Sequence, residues 1–256
     1  MKNAAICMLI IFVIGLSACD NYFSESWGSP RDYDIDNIDV NINNVDEWVE
    51  RSIGNPDLAE VLVEKITKEL IHATNSWDRA VLLEGGVKLA VENSGFGASI
   101  ITYAADLLGE LESGSDIETV QDMFRKMQND FNSGRGPNAA DSLAAMALRC
   151  IQIDADGVPR FEDAYAQTAQ AGDVAEAVMV LVQRELGTDP IDDNWNDISM
   201  LSGDLVIHNR AVRTANSDAG DTSIALAAYL NLISDNPEKF SANPFTNALN
   251  NAFFGS

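Results

Sequence analysis

The chain has few of the side chains on which metal sites and thiol or imidazole catalysis depend. Its 256 residues include three cysteines and two histidines. His72 and His208 are far apart in sequence, and neither has a second histidine or an accessible thiol beside it. The sequence therefore predicts neither a histidine-based zinc site nor a Cys–His nucleophile pair. We expect His72 in the last turn of a helix and His208 on an apolar helix face.

Basic residues are scarce as well, and this restricts the partners. Lysine and arginine number 16 against 40 aspartates and glutamates, and the formal net charge is −24. Nucleic acids and anionic headgroups are recognised by clusters of lysine and arginine, so such a surface repels them. We expect no nucleic-acid partner, and we expect cations, basic protein faces or neutral ligands instead.

The sequence lacks an assembled catalytic motif. No G-x-S-x-G pattern is present, and the glycine-rich run 94–99 has Ile100 where a dinucleotide fingerprint requires its third glycine. Asp106 lies in an otherwise apolar helix, so it is the acid to inspect for burial, which would raise the pKa of its carboxyl. We therefore predict a non-enzymatic protein. An acid-based hydrolase with a buried carboxyl near Trp77 or Trp195 is a more distant alternative.

Two segments space their acids as an EF-hand-like calcium loop does, but each departs from the pattern. The third, fifth, sixth and twelfth places of one loop are filled by Asp154, Asp156, Gly157 and Asp163. Its first place holds Gln152, and Pro159 stands where an aliphatic residue belongs. In the other segment, Asp32, Asp34 and Asp36 fill the first three ligand places. Asn37 stands where the glycine is expected, and Asn43 stands where the bidentate glutamate is needed. Calcium is the candidate metal, solvated turn acids are the alternative, and no resident cofactor is predicted.

The N-terminus carries an apolar run in the order of a secretory signal. Lys2 precedes about twelve apolar residues, which as a helix would span about 18 Å, less than the hydrocarbon core of about 30 Å. A permanent transmembrane helix is therefore not expected. The run ends in Leu16-Ser17-Ala18-Cys19.

These four residues resemble the lipobox of bacterial lipoprotein precursors at every position. The resemblance implies diacylation of the Cys19 thiol, cleavage before Cys19 and acylation of the new amino group. Two or three acyl chains suffice for stable anchoring in the bilayer. Asp20 resembles the signal that retains lipoproteins on the periplasmic face of the inner membrane, with the outer membrane as the alternative. An ordinary signal peptide that carries a cysteine is the competing interpretation.

The sequence thus divides into a signal peptide at 1–18, a lipidated acidic tether at 19–43 and an all-α domain at 44–256. Cys7 leaves with the signal and Cys19 becomes a thioether, so Cys150 has no partner for an intramolecular disulfide. We expect Cys150 to be a core thiol.

Apolar stripes at helical spacing and prolines at helix starts predict a bundle or short α-solenoid of about ten helices. Asn55-Pro56-Asp57 and Asn236-Pro237-Glu238 each give a cap, a first-turn proline and a first-turn acid. Small, apolar helices near 76–112 and 138–151 are expected to lie inside the bundle. The predicted helices are 44–53, 56–73, 76–93, 97–112, 116–132, 138–152, 160–170, 173–186, 194–215, 221–235 and 237–253.

Gly172-Asp173 followed by Ala177 resembles the inter-helix turn of tetratricopeptide repeats, over about twenty residues. A generic turn with Gly172 as a helix C-cap is the alternative. Taken together, the sequence predicts a non-enzymatic interaction or accessory module of the bacterial envelope, held to the bilayer by its acyl anchor and bound to an envelope protein. The alternative is a carrier of a small or lipidic ligand in a cavity between the helices near 76–112 and 138–151, for instance one that serves a transporter.

Overall fold

The computed structural model describes residues 37–94, 126, 128–186 and 220–241. This part of the chain is predominantly helical, which confirms the all-α prediction. A helical segment that ends at residue 133 precedes α4. The complete elements are α1 (Val45–Ser52), α2 (Pro56–His72), α3 (Ser76–Ser94), α4 (Gly136–Ala147), β1 (Ile151–Ile153), β2 (Pro159–Phe161), α5 (Asp163–Thr168), α6 (Ala171–Leu186), α7 (Asp221–Asp235) and α8 (Pro237–Phe240).

The predicted start signal of α2 is confirmed, and that of α8 is confirmed for its proline but not for its asparagine cap. Asn55 caps α2, since its side chain accepts the Leu58 N–H at 3.1 Å, and Pro56 is the first helical residue. Pro237 likewise begins α8, but the Asn236 amide donates to the Leu232 carbonyl instead of capping. His72 lies in the last turn of α2, as expected, and is exposed.

Helix α3 is the central element, as its apolar composition predicts. It packs against α1, α2, α4, α5 and α6. Two adjacent glycines let neighbours approach its backbone closely. A Cβ on Gly85 would overlap Cγ2 of Val45 in α1, and a Cβ on Gly86 would lie 2.6 Å from Sδ of Met146 in α4. Helix α4 is also buried along most of its length, and α7 is buried on nearly every side.

A β-hairpin joins the two predicted helices, and its strands replace their adjoining ends at 151–152 and 160–161. The helices expected at 138–152 and 160–170 are α4 and the six-residue α5, and between them β1 and β2 pair antiparallel with Ile151 opposite Phe161. In the turn, the Gly157 N–H donates to the Asp154 carbonyl at 3.0 Å, and Gly157 has a φ of 77°. The helix prediction is wrong at those helix ends, because Asp-Gly between alternating apolar residues favours a hairpin over a plain connection.

The hairpin is fastened to the core by aromatic rings. Phe161 of β2 packs at a tilt against Tyr165 and edge-on against Tyr229, with ring centroids 4.6 and 4.7 Å apart. The Asn231 side chain of α7 donates to the Pro159 carbonyl at 2.9 Å. The hairpin therefore packs as part of the bundle.

Helix α6 begins earlier than predicted. It starts at Ala171, so Gly172 lies in its first turn and is not a helix C-cap. The expectation of Gly172 as a C-cap is thus wrong. Within the described residues, no helix is long and apolar enough to cross a bilayer.

Candidate functional site

A row of acidic side chains lies along the contact between α3 and α6. Glu84, Lys88 and Glu92 are spaced four residues apart on α3, so they share one face of the helix. Asp173 and Glu176 lie on α6. We call these five residues the acidic α3–α6 interface. Lys88 Nζ lies 3.6 Å from Asp173 Oδ2 and 4.0 Å from Glu84 Oε1, so this ammonium is shared between both carboxyls.

Glu84 is the most enclosed member of the interface, with 9% of its surface exposed. Its Oε1 accepts the backbone N–H of Gln170 at 3.2 Å. Oε2 of Glu84 and Oδ2 of Asp173 are both buried, and neither has a hydrogen-bond partner among the described residues. The two carboxyls are close enough to hydrogen bond once one of them carries a proton.

Burial is the main cause that raises the pKa of Glu84 to about 8, from an ordinary 4.5. The hydrogen bond and the negative charge of Asp173 add to this effect, and Lys88 opposes it. Burial, followed by the charges of Asp173 and Glu92, also raises the pKa of half-buried Glu176 to about 7. At neutral pH, the Glu84 carboxyl is therefore mostly protonated, which is the form that a site with little water favours.

Two buried tyrosines lie on the same side of the core. The hydroxyls of Tyr165 and Tyr229 are 3.4 Å apart, and burial raises the pKa of both, with the charge of Glu84 contributing. Both phenols therefore remain neutral. They give the interior hydroxyl donors but no base.

Cys150 is a buried free thiol, as expected. Its Sγ donates to the Arg79 carbonyl at 3.7 Å, and burial raises the pKa of the thiol to about 12. The guanidinium of Arg79 pairs with both carboxylate oxygens of Glu162, at 2.6 and 3.2 Å, and also donates to the Ala73 carbonyl. The thiol is thus protonated and enclosed, and the ion pair next to it ties α3 to the end of the hairpin.

The calcium candidates lie at the hairpin. Oδ1 of Asp154 accepts the N–H groups of Asp156 and Val158 at 2.9 and 2.8 Å, and Oδ2 accepts from Arg160 at 3.0 Å. Asp163 is the first residue of α5, beyond the second strand. No group of three or more histidines, cysteines or acids in the described ranges is arranged to hold a metal ion. Asp154 serves as a turn acceptor and an arginine partner.

The turn between α2 and α3 presents two large apolar side chains. Ile71 is 54% exposed and Trp77 is 55% exposed. Asn75 fixes the turn, because its Oδ1 accepts the Asp78 N–H at 2.8 Å while Arg79 holds the Ala73 carbonyl. We call Ile71, Trp77 and the turn that joins them the α2–α3 corner. It offers an aromatic and an aliphatic anchor on a well-fixed backbone.

Several residues singled out in the sequence lie outside the described residues. They are Cys19, Asp32, Asp34, Asp36, Asp106, Trp195 and His208. The sequence prediction missed Glu84 and pointed to Asp106 as the acid to inspect for burial. The signal was nevertheless present, since Glu84 follows Val81-Leu82-Leu83 in a helix that is apolar nearly all round.

No protein-family model matches the chain, and no curated protein or solved structure gives a significant match. The functional inference therefore depends on the residues themselves.

Proposed function

We propose that the protein is a lipid-anchored, extracytoplasmic interaction module of the bacterial envelope, and that a partner protein binds it at the α2–α3 corner. The observation that carries this proposal is the exposure of Ile71 and Trp77 on a turn held by side-chain hydrogen bonds. Binding energy at protein interfaces is concentrated in such anchors, with tryptophan strongly enriched among them. A fixed backbone also lowers the entropic penalty of binding.

Charge indicates what kind of partner fits. Exposed acids dominate the outer faces of α1 and α2, and the basic Arg51 and Lys68 there are paired with Glu47 and Glu64 one turn earlier. Complementary charge steers association and selects partners. A partner with lysines and arginines around an apolar pocket is therefore favoured. The exposed acids are Asp46, Glu47, Glu50, Asp57, Glu60 and Glu64, of which Asp57 and Glu60 also pair with Arg135.

The anchor and the non-enzymatic character are part of the same proposal. The match of Leu16-Ser17-Ala18-Cys19 to a lipobox supports acylation at Cys19 and attachment to an envelope membrane. The enclosure of Glu84 and of Cys150 supports a role without catalysis, because an acid, base or nucleophile has to reach its substrate.

The ligand-carrier alternative stays a prediction. Residues 95–112, which would form half of the expected cavity, lie outside the described residues. Where α3 and α4 are described, Met146 sits directly over Gly86. That contact favours close packing over an open space at this point.

Site-specific photo-crosslinking tests the proposal in native membranes. A photo-reactive residue replaces Trp77 in the full lipoprotein, and a matched protein carries it at Ile53, which is 43% exposed at the α1–α2 turn. We expect a protein adduct at position 77 that is absent at position 53. The adduct protein is then purified, and its binding should weaken with salt and be lost in Ile71→Ser/Trp77→Ser but not in Ile53→Ser. Equal adducts at both positions, or direct binding that survives the double substitution, would show the corner is not the contact.

The Cys19→Ser protein separates the anchor from the contact. A partner that binds through the corner should still bind this variant when both proteins are purified. Fractionation should at the same time move the variant out of the membrane. Membrane retention of Cys19→Ser would contradict lipidation at this residue.

A further inference from the structure

At the contact between Glu84 and the start of α6, one carboxyl oxygen of Glu84 has a backbone donor, while two buried carboxyl oxygens have none among the described residues. Glu84 reaches from α3 to the Gln170 N–H and to Asp173, so one side chain holds both the α5–α6 link and the first turn of α6. Oε2 of Glu84 and Oδ2 of Asp173 remain without a hydrogen-bond partner among the described residues. Both carboxyls lie beside the one ammonium of Lys88, and two carboxylates this close together repel unless one of them carries a proton.

Charged groups around the pair do not replace that proton. Lys88 is 3.6 Å from Asp173 and 4.0 Å from Glu84, beyond ordinary hydrogen-bond length for both. Lys239 of α8 donates to the carbonyls of Ala166 and Gln167 at 2.7 and 2.8 Å, which commits it to the end of α5.

The remaining ionisable groups on the packed elements are neutral phenols, further acids or members of other pairs. Those of α5 and α7 that interact with Glu84 and Asp173 are Tyr165 and Tyr229, and on α6 Glu176 adds negative charge beside Asp173. Elsewhere Glu92 accepts the Gly54 N–H, Arg79 pairs with Glu162, and Asp141 of α4 pairs with Arg184.

We propose that a proton shared between Glu84 and Asp173 fastens the start of α6 to α3, and that its loss in mildly alkaline medium releases this contact. The shared proton lets Glu84 donate to Asp173 while its other oxygen keeps the Gln170 N–H. Without the proton, two enclosed carboxylates compete for Lys88. The acidic α3–α6 interface is thus a pH-sensitive latch built into the bundle.

The sign of the effect follows from proton linkage. Burial raises the pKa of Glu84 to about 8 in the folded protein, whereas the unfolded chain releases this proton near 4.5. Between those values the folded state binds more protons than the unfolded state, so stability falls as pH rises. The stability that this proton contributes is fully present below about pH 4.5, and it is lost as pH rises through about 8, where the folded protein releases the proton. Glu176 acts in the same direction, with a pKa of about 7.

The test compares Glu84→Gln with Glu50→Gln in the full chain. Glutamine resembles the protonated acid, while Glu50 is exposed on α1, so the second variant removes the same charge without touching the latch. Urea unfolding at pH 5.5 and 8.5 gives the folding constant, and hydrogen exchange corrected for intrinsic rates reports protection of residues 170–176. We expect the wild-type folding constant to fall at least tenfold between these pH values, with protection lost first at 170–176.

In Glu84→Gln the fall in the folding constant, in logarithmic units, should be at most half that of wild type, and Glu50→Gln should behave as wild type. Equal falls in wild type and Glu84→Gln, or equal flattening in both variants, would overturn the latch. If Glu84→Gln does not fold, the ¹³C carboxyl shift of Glu84 in the wild type decides. A titration midpoint above pH 6.5 supports the latch, and a midpoint at or below pH 6.5 refutes it.

Discussion

A methyl group added at Gly85 tests whether α1 approaches α3 as closely as the structure describes. Alanine favours helix over glycine by about 0.8–1 kcal/mol, so the substitution would stabilise an exposed helix. Here the new Cβ would overlap Cγ2 of Val45. Overpacking of a buried site costs about 1–3 kcal/mol, and the β-branched Val45 has few rotamers with which to move aside. Because the gain in helix propensity offsets part of the overpacking cost, we expect Gly85→Ala to lower the free energy of unfolding by up to about 2 kcal/mol.

The neighbouring Gly86→Ala is the matched comparison. It lies on the same helix and gains the same helix propensity, but its Cβ would meet Sδ of the flexible Met146 at 2.6 Å and Cγ2 of Ile66 less closely, at 3.2 Å. Methionine adapts to such changes because its side chain is unbranched. We therefore expect Gly86→Ala to destabilise the protein less than Gly85→Ala does.

A double-mutant cycle isolates the contact itself. Val45→Ala should cost about 2 kcal/mol, since it removes two buried methyl groups worth about 0.8 kcal/mol each and leaves a small cavity. In Gly85→Ala/Val45→Ala the new methyl fills that space, so the combined loss should be smaller than the sum by about 1 kcal/mol or more. Urea denaturation followed by circular dichroism measures all four proteins. Additivity within about 0.5 kcal/mol, or stabilisation by Gly85→Ala alone, would refute the close approach.

Two further predictions concern buried and capping groups. In the lipidated protein, Cys150 should resist an aromatic disulfide reagent at pH 8, because burial keeps its thiol protonated. The thiol should react fully in urea, which exposes it. Rapid labelling of the native protein would contradict this. Asn55→Ala should lower the free energy of unfolding by about 1 kcal/mol through loss of the cap on Leu58 N–H, and Asn55→Ser should retain most of it. Equal stability of both variants in urea would show that the cap contributes little.

The helices that could be predicted are those whose signals are local. Pro56 suits the first turn of α2 because a proline lacks the backbone N–H that this turn would leave unpaired. Asn55 suits the cap position because its side chain accepts a backbone N–H of that turn. The interior position of α3 follows from composition, since a helix without a polar face has to be covered on several sides.

The hairpin was missed because its local signals are shared by two structures. Asp154 and Gly157 suit a calcium loop, which needs oxygen ligands and a glycine at a sharp turn. They equally suit a tight hairpin, in which the aspartate accepts backbone N–H groups and glycine adopts positive φ. What decides is the packing of Phe161 on Tyr229, a contact that local sequence does not encode.

Glu84 was missed for a related reason. With Lys88 and Glu92 it forms the four-residue spacing of an exposed, salt-bridged helix face. That face is instead covered by α6, and the covering residue Asp173 comes from a distant part of the chain. Burial of an acid is a tertiary property, so the apolar residues before Glu84 were the only local sign of it.

Helix α3 joins the two proposed functional features through one rigid element. Its first turn presents Trp77, and Glu84 lies about two turns further along. Between them, the guanidinium of Arg79 pairs with Glu162 and donates to the Ala73 carbonyl. Its hydrogen bond to Glu162 raises the pKa of Arg79 further, so its positive charge persists across the pH range in which Glu84 titrates. The corner is therefore held by a guanidinium that keeps its charge in this pH range, whereas the start of α6 is held by a carboxyl that loses its proton. Loss of the proton at Glu84 would loosen α6 and leave the binding corner in place.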